Sequence, residues 1–212
     1  MSDNKAILEG PASNIHGASF TSNPETMAYA TTDIALGTKA PDFALLDTIT
    51  GKLFSLRDVA GTKATVVMFS CNQCPYVLHV LDKVTVVAKA YQQKGVGFVA
   101  ISSNDAATHP QDGPEHMKAL AQQYGFTFPY LYDQTQQVAR TYQALCTPEF
   151  FVFDANLNLA YHGQFDSSRP KSDIPVTGED LTMVLDALLQ GKQPSGEQQP
   201  AVGCSIKWKY PY

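Results

Sequence analysis

Apolar positions recur with two different periods along this chain. The run TKATVVMFS, ending at Ser70, is short, apolar and β-branched, the pattern of a strand buried on both faces. After it Val77, Leu81, Val84, Ala88 and Tyr91 recur at helical spacing, and Gly95 closes that helix. Residues 96–102 form the next buried strand, and Pro114 opens a helix to about Tyr124 with Met117, Leu120 and Ala121 on one face. A short strand at YLYD follows, then a helical stretch over 134–142. The strands EFFVFD and LAYHG flank a turn marked by Asn156 and Asn158, and a helix over 179–189 is capped near Thr177 or Gly178. Ahead of all these, residues 43–46 and 52–56 read as two short strands around a Thr-Gly turn.

The order is therefore hairpin, then alternating strands and helices, then two strands and a helix. Such strand–helix–strand units predict an α/β fold: a central, mainly parallel sheet with helices on both faces and an antiparallel edge hairpin from the last two strands. Residues 1–36, rich in Ser, Thr, Asn and Ala without periodicity, read as a solvated N-terminal extension. The domain spans 37–192, and a tail over 193–212, rich in Gln, Pro and Gly, ends in VGCSIKWKYPY.

Composition narrows the function classes. The 212 residues suffice for one proper core, and 44% hydrophobic with 17% charged residues is an ordinary globular balance. Net charge is -5 with no basic stripe, which argues against nucleic acid, and no apolar run approaches a membrane span. The opening MSDNKAILEGPASNIHGASF has no apolar core of a secretory signal, so the expected compartment is the cytoplasm. Structural disulfides are disfavoured there, and close cysteines point instead to redox or metal chemistry.

The chain has four cysteines, and two stand two residues apart, Cys71 and Cys74, where a buried strand gives way to a helix. A helix N-terminus offers unpaired N–H groups and the positive end of the dipole, which favour a thiolate. This spacing in a first turn brings two sulfurs within disulfide reach, so one can attack and the other resolve. Pro75 pins the helix start beside them. The competing readings are half of a metal site and two small packing residues. Farther on, Thr147-Pro148 precedes a buried strand; a proline there is a candidate cis peptide facing the dithiol, or an ordinary trans loop residue.

APDFALLDTITGKLFSLRDVAG, CNQCP, TPEFFVFD and the closing GCSIKWK together resemble the thioredoxin-like superfamily, and within it the peroxiredoxin-like group related to alkyl hydroperoxide reductase and thiol-specific antioxidant proteins, over roughly residues 37–209. The resemblance implies a thioredoxin-like fold with an N-terminal β-hairpin extension, Cys71 as nucleophile, Cys74 as resolving thiol, Pro148 as the facing cis-proline, and antioxidant or thiol oxidoreductase activity. It also carries departures. With Cys74 at the peroxidatic position, Val67 stands at the family's proline and Cys71 at its Thr/Ser, and the arginine expected near TPEFF is missing. Those groups polarise a peroxide, so slow peroxide reduction is expected. Thr65 stands where thioredoxins carry a buried Asp, leaving Glu149 as a weak substitute base that reads equally as a solvated residue.

Cys146 and Cys204 are possible auxiliary thiols, Cys146 equally a packing residue. His79 and His162 read as partly exposed or hydrogen-bonded residues rather than ligands, and YHGQFD and PYLYD as packing segments. The expected function is thiol–disulfide exchange through Cys71 and Cys74. The alternatives are a thiol-dependent hydroperoxidase and a non-enzymatic copper or zinc carrier. Expected partners are a small-molecule or protein disulfide or a hydroperoxide, and a thiol electron donor. No cofactor, resident metal, nucleic acid or membrane is implied.

Overall fold

The computed structural model describes residues 34–210. Residues 1–33 of the expected extension, and the last two of the tail, lie outside them. The described chain runs β1 (Ala44–Asp47), β2 (Leu53–Ser55), α1 (Leu56–Val59), β3 (Ala64–Phe69), α2 (Pro75–Gln92), β4 (Val96–Ser102), α3 (Pro114–Gln123), β5 (Tyr130–Tyr132), α4 (Gln137–Thr141), β6 (Cys146–Thr147), β7 (Glu149–Asp154), β8 (Leu159–Gly163), α5 (Glu179–Leu189) and β9 (Cys204–Ser205).

Seven strands form one sheet in the order β2-β1-β5-β4-β3-β7-β8. Its centre is parallel: β4 runs between β3 and β5 in the same direction as both. The flanks are antiparallel, β7 on β3 and β8 on β7 at one side, β1 on β5 and β2 on β1 at the other. The N-terminal hairpin is thus an edge of the main sheet.

Strand β3 is buried at every position, which is why it reads as an unbroken apolar run. Its residues alternate between two cores. Val66 and Met68 face α2, α3 and α5, while Val67 and Phe69 face α1 and α4. Helix α2 presents Val77, Leu81, Val84, Ala88 and Tyr91 to the first core. Burying a side chain such as Leu81 contributes about 1.5–3 kcal/mol. Ser55 caps α1 in a reciprocal box with Asp58.

Helix α4 is shorter than the 134–142 stretch expected from periodicity, because Gln136 stands at its N-cap in the left-handed region (φ 63°). The carboxylate of Asp133 accepts the Ala139 N–H and fixes that entry. The ends of β4 and α5 fall where the pattern put them. The segment after residue 200 packs back on the domain. Ala201 and Ile206 are buried there, and β9 pairs antiparallel with β6 in a small separate sheet.

Candidate redox site

Cys71 and Cys74 lie between the end of β3 and the start of α2, with Cys74 as N-cap and Pro75 in the first helical position. Strand β3 is paired on both sides, with β4 and β7, so the dithiol follows an interior strand of the sheet. Both cysteines are 3% exposed and all four cysteines are free thiols. The Thr147–Pro148 peptide bond is cis. Thr147 faces both sulfurs: its hydroxyl lies 3.2 Å from Cys71 Sγ, and its carbonyl oxygen accepts the Cys74 thiol at 3.1 Å.

A third thiol completes the cluster. In the β6–β9 pair Thr147 is opposite Cys204, which sets Cys204 beside Cys74. Burial works against charge on Cys74, but the donors around it outweigh burial. The nearby thiols of Cys204 and Cys71 and the nearby backbone N–H groups of Val77 and Cys204 lower its pKa to about 3, while the side chain makes no capping hydrogen bond and its own S–H points to Thr147 O. Cys71 moves the other way. Its hydrogen bond to Cys74, its burial, the Cys74 charge and the Asp112 carboxylate raise it, against the Thr147 hydroxyl. The Cys204 thiol is raised as well, first by donating to Cys74 and then by burial, with Lys207 opposing. The two sulfurs are thus shifted in opposite directions, Cys74 down and Cys71 up. The resemblance implies Cys71 as the nucleophile, and Cys74 is the partner whose surroundings favour charge.

Asp112, Asn104 and Tyr130 escaped the sequence reading. The residues between the two cysteines carry no charge, but a charge is brought to them. Asp112 Oδ1 accepts the Asn72 N–H at 2.7 Å, and Oδ2 accepts the Asn104 side-chain amide at 2.9 Å. Asn72 Nδ2 donates to Gln111 O, and Tyr130 Oη donates to Asn72 Oδ1 at 3.1 Å. Tyr130 belongs to the PYLYD segment expected to serve packing alone; it does pack, and its hydroxyl also reaches the dithiol loop. Asp112 lies in the stretch NDAATHPQDGP, which reads from the sequence only as a loop. Its one local signal is its place just ahead of the Gly-Pro that opens α3.

Glu149 is not solvated and is no partner of Cys74. It is fully buried, Oε2 accepts the N–H groups of Leu145 and Cys146, and Oε1 lies 2.6 Å from His162 Nε2. The His162 ring stacks on Phe151 with centroids 4.1 Å apart. This pair sits behind the Thr147–Pro148 turn and holds it by its backbone. Cys146 is fully buried, and burial followed by the Glu149 charge raises its thiol far from thiolate formation. Thr65 is buried on β3 and accepts the Gly61 N–H, so no carboxylate replaces it under the dithiol. His79 is bonded to Ser168. Among the described residues no group of three His, Cys, Asp or Glu side chains is placed to hold a metal ion, which leaves the alternative of a copper or zinc carrier without a site there.

A cavity of about 370 Å³ opens on the sulfurs, lined by Cys71, Cys74, Tyr76, His109, Cys204 and Lys207 among others.

A dithiol at a strand-to-helix junction, opposite a cis-proline, on a sheet with this strand order, defines a protein of thioredoxin-like fold, and solved thioredoxin-domain structures share it. Residues 36–162 match the AhpC/TSA family, and the chain belongs to that family. It is similar to an uncharacterized conserved protein from Geobacillus kaustophilus, with TM-score 0.85 and 50% identity over 87% of this chain and 98% of that one. A hypothetical protein from Sinorhizobium meliloti 1021 superposes with TM-score 0.83 and 42% identity, covering 86% of this chain and 99% of that one. Thiol-disulfide oxidoreductase ResA from Geobacillus thermodenitrificans is 27% identical over 125 residues, 59% of this chain and 67% of that protein.

Proposed function

We propose that this protein is a thiol–disulfide oxidoreductase that cycles Cys71 and Cys74 between dithiol and disulfide. The observation that carries the reading is the pair itself. Two free thiols stand at a helix N-terminus against the cis Thr147–Pro148 turn, each within hydrogen-bond distance of Thr147, with a cavity leading to both. The name of the ResA relative supports the same chemistry. The thiolate of the pair attacks one sulfur of a substrate disulfide and expels the other as a thiolate, which takes a proton from water. The remaining cysteine then loses its proton, attacks the mixed disulfide and releases the second substrate thiol. Two electrons pass from the protein to the substrate, and a thiol donor restores the dithiol. Thr147 stays within hydrogen-bond reach of both sulfurs.

Reduced protein mixed with a disulfide is expected to lose both thiols together, and Cys71→Ser and Cys74→Ser each to block the second step or the first. Unchanged disulfide reduction in both variants would refute the proposal.

Hydroperoxide reduction is a second reading, favoured by the AhpC/TSA family match. Val67 is buried in the core and Cys71 stands beside Cys74 as a sulfur rather than a hydroxyl. Peroxide turnover is therefore expected to be slower than disulfide exchange, with a sulfenic acid trappable on the pair.

A further inference from the structure

The backbone edge beside the dithiol is β6, the two residues Cys146 and Thr147. An extended polypeptide docks on such an edge through main-chain hydrogen bonds, and this is how a protein segment would be laid across the two sulfurs. Here the edge is taken. The protein's own C-terminal strand β9 pairs with it, Ser205 opposite Cys146 and Cys204 opposite Thr147, and Ile206 N donates to Leu145 O at 3.0 Å.

The contact is built in. A Cβ placed on Gly203 would lie 2.0 Å from Thr147 O and 3.2 Å from Pro148 N, so glycine lets this strap lie directly on the Thr147–Pro148 turn. Beyond it the strap is anchored on the loops around the site. Lys207 N donates to Asn104 Oδ1, Lys207 O accepts from Asp105 N and Gln136 Nε2, and Lys209 N donates to Gln136 Oε1, each at 2.9 Å. Ala201 and Ile206 are buried on either side of the strand. With the strap in place Cys71 and Cys74 are each 3% exposed. Among the described residues, a cavity of about 370 Å³ whose wall includes Cys204 and Lys207 leads to them, a volume within the range of small-molecule pockets.

We infer that the substrate is the disulfide of a low-molecular-weight thiol, and that the C-terminal strap excludes extended protein chains from the dithiol. The inference rests on the oxidoreductase reading and sharpens it to a substrate class. In the exchange each small thiol leaves through the cavity, the Cys71–Cys74 disulfide forms inside, and β6 stays paired throughout.

The test is a single-turnover comparison. Pre-reduced full-length protein is mixed with bis(hydroxyethyl) disulfide or with insulin, and loss of the two thiols is timed against the uncatalysed exchange of each disulfide with a free dithiol. The enhancement for the small disulfide is expected to exceed that for insulin by about a hundredfold. Gly203→Val lifts the strap from Thr147, and the gap should close by about tenfold or more. The small-disulfide rate of the same variant reports that it is folded; if it does not fold, the wild-type ratio decides alone. Equal enhancement of both disulfides by the wild-type protein would overturn the inference, and so would a folded Gly203→Val variant with an unchanged ratio. Turnover of neither disulfide by the wild-type protein would overturn the oxidoreductase reading itself, and so is told apart from failure of the substrate class alone.

Discussion

The Thr147–Pro148 turn separates two buried polar arrangements that behave in opposite ways. In front of it stand the sulfurs of Cys71, Cys74 and Cys204, with several donors around one of them and a cavity leading in. Behind it stand Glu149 and His162, sealed from solvent, with one carboxylate oxygen taking two amide protons and the other facing the ring. A buried polar group whose partners are all fixed stiffens its surroundings; one whose partners can trade protons and covalent bonds can react. The rear pair holds the strand end that the front cluster uses. Substitutions in front should therefore change chemistry, and substitutions behind should change stability and position.

The largest expected effect is in front. Cys71→Ser or Cys74→Ser should lower complete two-thiol turnover by about a thousandfold or more, since a single cysteine cannot both attack and resolve. Quenched-flow thiol counting reads it. One of the two variants should accumulate a mixed disulfide with the substrate, and its identity names the attacking sulfur.

Next in size is the rear pair. Glu149→Ala leaves two buried N–H groups and His162 without their acceptor, and should cost about 3–5 kcal/mol in urea unfolding. Glu149→Gln keeps an acceptor for the amides and should cost about 1–2 kcal/mol. If Glu149→Ala abolished exchange without loss of stability, the division between front and rear would be wrong.

Cys204→Ala removes a donor that favours charge on Cys74. The sign is upward: the Cys74 pKa rises from its depressed value, and the thiolate appears at higher pH than in the wild-type protein. Ultraviolet thiolate absorbance against pH reads this without needing access to the buried sulfur. The exchange rate at about pH 7 should fall by less than tenfold, because the N–H donors of Val77 and Cys204 remain. The smallest effect belongs to Asp112→Asn. Its carboxylate raises Cys71, so removing the charge should bring the Cys71 titration to lower pH. Asn can still accept the Asn72 N–H but loses the acceptor for the Asn104 amide, so a small loss of stability in urea unfolding should accompany the shift.

The same contrast explains what the sequence could and could not say. Long elements with a strong period were legible: β3, α2, β4 and α5 follow from apolar spacing, and Pro75 and Gly95 bracket α2. The dithiol was legible because its spacing and its strand-to-helix setting are local. What surrounds it is not local. Strands β6 and β9 have two residues each, too few for any period, so nothing in the chain announces that Cys204 lies across from Thr147. Asp112 reaches Asn72 over 40 residues and Tyr130 reaches it over 58. Glu149 read as a solvated group because acidic residues usually are; its burial depends on His162, thirteen residues away on the neighbouring strand.

The central claim is that Cys71 and Cys74 form the working dithiol. Its most direct test is peptide mapping by mass spectrometry of the reduced protein after one turnover with bis(hydroxyethyl) disulfide, under acid quench. The predicted product is a single intramolecular disulfide between Cys71 and Cys74, with Cys146 still a thiol. A protein that leaves the reaction with both Cys71 and Cys74 reduced, or with its disulfide formed without either of them, would contradict the account.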